Sequence, residues 1–91
     1  MEYIFSKPYE FEGKTYEKLE FDLENLKGSD FAAAKKMFVK SGSFAVIPQM
    51  DSEFCAVILE KVSKQPLAFF EGLPAKDYCG ITQQVANFLT A

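Results

Sequence analysis

Tyr9 and Phe11, and after them Leu19, Phe21 and Leu23, alternate with charged residues at a period of two, the spacing of a strand with one buried face. Glu12-Gly13-Lys14 supplies turn-forming residues between the two runs. The pattern predicts a β-hairpin over residues 8–24, with a further strand from Tyr3 to Phe5 ahead of Pro8 as an option. One face of the hairpin is apolar and the other acidic. An isolated hairpin is unstable in water, so helices must cover the apolar face.

Beyond residue 25 the period lengthens. Ser29 or Asp30 is suited to cap a helix running from about residue 30 to 40, with Phe31, Ala34, Met37 and Phe38 as its apolar stripe and Lys35, Lys36 and Lys40 opposite. Gly42 marks its stop. The run Phe44-Ala45-Val46-Ile47 ahead of Pro48 fits a short buried strand or a packed connector equally well. Asp51 then caps a helix over 52–63 whose centre, Phe54 to Leu59, is apolar nearly all round, which predicts the most buried helix. Pro66 opens a short turn of helix carrying Leu67, Phe69 and Phe70, and Gly72 closes it. In the last helix, 75–89, Tyr78, Ile81, Val85, Phe88 and Leu89 recur at three- and four-residue spacing. The fold class is α+β and predominantly helical: an N-terminal β-hairpin (8–24) followed by three to four short helices (30–91), in a single domain spanning residues 1–91.

Composition narrows the chemistry. The chain has 91 residues, a net charge of −3 and no His, and its ten basic residues are all Lys. Without guanidinium forks or a basic surface, nucleic acid is not an expected partner. Without imidazole, the commonest general base, nucleophile activator and zinc ligand is missing, so the chain reads as no enzyme, with no cofactor and no metal. Carboxylate pairs such as Glu53 with Glu60 or Glu71 with Asp77 fall at helix ends or exposed positions, where a solvated charge is the simpler reading. Cys55 and Cys79 lack metal-ligand spacing and lie on apolar helical stretches, which predicts two buried thiols in a reducing compartment. No stretch resembles a signal peptide or a membrane span, so a cytoplasmic location without membrane attachment is expected.

Three features invite a sharper reading. Gly80 interrupts a helical pattern, which costs about 1 kcal/mol relative to alanine; it reads as a close helix contact, or as a hinge or partner contact. The acidic hairpin, with Glu10, Glu12, Glu17, Glu20, Asp22 and Glu24, reads as a solvated edge or as a steering surface for a basic partner. Phe69-Phe70 reads as core filling or as an exposed aromatic anchor.

In chain order, Phe11-Glu12-Gly13-Lys14-Thr15-Tyr16-Glu17-Lys18-Leu19-Glu20-Phe21, then Leu26 to Phe31, then Leu73-Pro74-Ala75-Lys76-Asp77-Tyr78 and the closing Val85-Ala86-Asn87-Phe88-Leu89 resemble the tail assembly chaperones of long-tailed phages and prophages, the group with Mu-like and P2-like members. The shared pattern is an opening of an aromatic or apolar residue, x, Gly-Lys, x, an apolar residue, x, x and Leu, then a central helix, a Leu-Pro-x-x-Asp turn and a final helix ending Val-x-x-Phe. The resemblance implies a non-catalytic protein that binds the tape measure protein, with tail tube subunits as a second partner, during tail morphogenesis in the host cytoplasm, and that is absent from the finished virion. On that reading Phe69, Phe70, Tyr78, Ile81, Val85 and Phe88 are the expected protein-binding residues, and self-association is open. The competing classes are a small structural virion protein, such as a tail-completion or connector component, and a small protein-binding regulatory module.

Overall fold

The computed structural model describes residues 1–40, 42 and 51–90. Strand β1 (Glu2–Phe11) pairs antiparallel with β2 (Lys14–Glu20), and among the described residues four helices follow: α1 (Gly28–Lys40), α2 (Ser52–Ser63), α3 (Leu67–Glu71) and α4 (Ala75–Thr90). This is the expected α+β, predominantly helical architecture. Residues 44–47, for which strand and connector remained open, lie outside the described residues.

The hairpin differs from expectation in the length of its first strand. β1 runs unbroken from Glu2 through Pro8 to Phe11, so the optional strand at Tyr3 to Phe5 and the strand at Tyr9 to Phe11 are one element. Its ladder pays no penalty at Pro8 because the register slips there: the step from Ile4 to Tyr9 on β1 faces only the step from Lys18 to Tyr16 on β2. Such a bulge releases backbone groups from the ladder and bends the strand. Glu12 and Gly13, both at positive φ, form the two-residue turn whose twist suits a hairpin. β2 ends at Glu20, earlier than expected. Phe21 still donates its N–H to the Met1 carbonyl at 2.9 Å, and Asp22 then turns the chain by accepting from the Glu24 N–H at 3.0 Å and the Asn25 amide at 2.6 Å.

Helix α1 starts at Gly28, ahead of both expected caps, Ser29 and Asp30. Asp30 lies inside the first turn and accepts the Lys27 N–H at 3.0 Å, the reach-back half of a capping box. Phe31, Ala34 and Phe38 face the core, but Met37 does not; it is 54% exposed, because it lies a sixth residue beyond Phe31 and so off that stripe. Gly42, at φ 90°, ends the helix as expected. Asp51 caps α2 through the N–H groups of Glu53 (2.9 Å) and Phe54 (3.2 Å).

Helix α2 is the centre of the molecule. Phe54, Cys55, Ala56, Ile58 and Leu59 are all buried, and α1, α3 and α4 each pack against it. Helix α4 contacts both α2 and β1, so it sits between the central helix and the hairpin. One continuous core joins Phe5, Leu19, Phe21 and Leu23 of the N-terminal region to the inner faces of the helices. Among the described residues, no helix is long and apolar enough to cross a membrane.

Candidate protein-binding surface

Phe69 is the hub of the core, not an anchor on its surface. Short helix α3 packs it against the hairpin, where the rings of Tyr9, Phe11 and Tyr16 lie at centroid distances of 5.0–5.1 Å, each edge-on. Phe70 stands 5.2 Å away on the other side, also edge-on. Such geometry places the positive edge of one ring on the negative face of the next. Ring contacts of this kind join the hairpin to the helices.

The six residues expected to bind a partner accordingly divide. Phe69, Phe70, Ile81 and Val85 have no exposed surface, and the reading of them as contact residues is corrected: the three- and four-residue spacing in α4 marks the stripe that seals against α2. Tyr78 is half-buried, and its hydroxyl lies 3.5 Å from the Ser52 carbonyl. Phe88, 37% exposed, stands at the other end of α4 beside Met1, Gln84 and Asn87.

Asp77 also departs from expectation. Its position in the first turn of α4 suggests a solvated charge near the helix N-terminus, yet it is 1% exposed. One carboxylate oxygen accepts from the Tyr3 hydroxyl (3.1 Å) and the Ser6 N–H (3.0 Å), and the other from the Ser6 hydroxyl (3.0 Å). The Ser6 N–H is available because the bulge in β1 removes it from the ladder. Burial, and then the hydrogen bond and charge of Asp77, push the Tyr3 phenol above its ordinary value. A carboxylate so fully satisfied is a structural clasp between hairpin and α4.

The two glycines of this region are explained by tyrosines. A Cβ on Gly80 would overlap the Tyr3 hydroxyl and come within 2.9 Å of two ring carbons, and one on Gly72 would stand 2.5 Å from the Tyr9 hydroxyl. Gly80 thus marks a close approach to a strand, not to a neighbouring helix. Gly72 has ordinary right-handed backbone angles, so space for Tyr9, whose hydroxyl donates to the Phe69 carbonyl at 2.8 Å, is its reason.

A groove of about 520 Å³ lies between α2, α3 and α4, with Phe38 of α1 also lining it. Leu73 forms its floor, Val57, Leu67 and Tyr78 its walls, and Glu53 and Glu71 its rim. Burial, then the charges of Glu53 and Glu71 with a smaller share from Asp51, push the Tyr78 phenol upward, against the lowering effect of its bond to Ser52. Cys79 lines the same groove and is exposed, which corrects the expectation of two buried thiols; the other thiol, Cys55 of α2, is buried as expected. Alternation of apolar and polar positions in α4 could not reveal this, since position 79 falls on the boundary between the buried and solvent faces.

No protein-family model, curated protein or solved structure matches the chain. Further apolar exposure lies at Met1 and Ile4 in the N-terminal region and on α1, where Met37 and Val39 (56%) stand among Lys35, Lys36 and Lys40. On the outer face of the hairpin, Glu2 and Glu20 are paired across the strands, and Lys18 lies between them at 3.3 and 3.7 Å. The remaining hairpin acids, from Glu10 to Glu24, are exposed. Among the described residues no group of three or more His, Cys, Asp or Glu is gathered as a metal would require.

Proposed function

We propose that this chain is a tail assembly chaperone of a long-tailed phage or prophage, which binds the tape measure protein in the host cytoplasm, without catalysis, until tail tube subunits replace it. The observation that carries the reading is the ordered set of motifs, from the Phe11-Glu12-Gly13-Lys14 opening through Leu73-Pro74-Ala75-Lys76-Asp77 to Val85-Ala86-Asn87-Phe88. Their places in the fold are compatible with it: the first is the hairpin turn, the second holds the Asp77 clasp, and the third closes the last helix. The surface adds support of a physical kind. Apolar side chains at Val57, Leu67, Met37, Val39 and Phe88 reach solvent at least in part, and shallow apolar contact is what allows a cover to be displaced by a tighter partner.

Co-expression with the tape measure protein encoded in the same phage genome tests the reading. The expected result is a soluble complex, together with absence of this chain from purified virions by mass spectrometry. Its presence in virions at a fixed stoichiometry would overturn the reading in favour of a structural tail component.

A further inference from the structure

We propose that the groove between α2, α3 and α4 receives an amphipathic helix of a partner protein whose apolar stripe is flanked by Lys or Arg. The inference deepens the reading of the chain as a protein-binding module and rests on it. Its volume, about 520 Å³, accommodates one or two large apolar side chains, and Leu73, Val57, Leu67 and Tyr78 offer them an apolar floor and walls. The rim gives the partner its charge. Glu53 and Glu71 are exposed, no lysine lines the groove, and the ion pairs among the described residues are those of Lys18 on the far hairpin. Among the described residues neither Glu53 nor Glu71 forms an ion pair, and the charges of both act on Tyr78.

An acidic partner would meet like charge at this rim, so sign as well as shape selects the occupant. The hollow along α1, by contrast, is lined by Lys35, Lys36 and Lys40, so the preference for a cation belongs to this groove and not to every apolar patch of the surface. The occupant follows the helix-in-groove mode, in which side chains one turn apart seat together.

Cys79, exposed in the groove, reports occupancy directly. The probes are two synthetic peptides of about 14 residues, long enough to form a helix on binding, with leucines at helical spacing and either Lys or Glu elsewhere. The Leu/Lys peptide is expected to slow maleimide labelling of Cys79 by about tenfold, and the protection is expected to fade as salt screens the rim. The Leu/Glu peptide is expected to leave the rate unchanged. The double variant E53K/E71K should lose the protection, whereas E10K/E17K on the hairpin should keep it. Equal protection by both peptides, no protection by either, or protection that survives E53K/E71K overturns the proposal. The comparison of two peptides on the unaltered chain holds whether or not the variants fold. Tape measure capture undiminished by E53K/E71K would overturn the groove as the site while leaving the chaperone reading standing. Specific Leu/Lys protection with no tape measure capture would do the reverse.

Discussion

Replacing Gly80 by alanine sets two effects of opposite sign against each other. In an open helical position the change stabilises by about 1 kcal/mol, because alanine has less backbone freedom to lose. Here the new methyl group would overlap the Tyr3 hydroxyl and crowd its ring. Helix α4 cannot withdraw, since Ile81 and Val85 are sealed in the core. Tyr3 must swing out instead, giving up its 3.1 Å hydrogen bond to the Asp77 carboxylate and its ring contact with Phe5. A hydrogen bond to a charged group contributes about 1.5–3 kcal/mol, so the expected net effect is a destabilisation of about 0.5–2 kcal/mol. Urea unfolding followed by circular dichroism measures it, and in a chain of this size each kcal/mol also lowers Tm by about 4–8 °C. The discriminating arm is Gly80→Ala in a Tyr3→Ala background, where the obstruction is gone. There the same substitution should stabilise by about 1 kcal/mol relative to Tyr3→Ala alone. An equal effect, of either sign, in both backgrounds would refute the steric account.

Phe69→Ala should cost about 3–5 kcal/mol, most of the stability of a small domain, whereas Phe88→Ala should leave stability within about 1 kcal/mol; a folded Phe69→Ala chain with near-native Tm would contradict the hub role. At high pH the Tyr3 phenol contributes, because its folded value lies above its unfolded one: its share of stability is complete below about pH 10 and is lost as pH rises through the folded value. Urea midpoints of the unaltered chain should therefore fall more steeply above about pH 10 than those of Tyr3→Phe, and parallel curves would count against the Asp77 clasp. Burial, with the charge of Asp51 adding to it, pushes the Cys55 thiol up to about 11, so a thiol reagent should modify Cys79 quickly in native buffer and Cys55 only in denaturant; rapid loss of both thiols in native buffer would contradict the packing of α2.

The element order was legible because each signal for it is local. Period-two alternation from Tyr9 to Leu23, the Asp51 cap and the bracketing of α3 by Pro66 and Gly72 concern groups a few residues apart, and capping and turn chemistry act over that range. The nearly all-round apolar stretch of α2 likewise marks a central helix without knowledge of what surrounds it.

The candidate surface was legible only in part, because exposure is a property of pairs of elements. The spacing of Ile81 and Val85 defines a stripe but not whether another helix of the same chain already covers it; α2 does. Asp77 looks like a helix-end charge until a bulge some seventy residues earlier presents the Ser6 N–H to it. The groove, likewise, exists because Glu53, Val57, Leu67, Glu71 and Tyr78 from three helices converge. Local backbone chemistry selects helices, strand and turns in advance of packing, whereas burial, the tyrosine contacts of Gly72 and Gly80 and the acidic rim arise when distant segments compete for the same space.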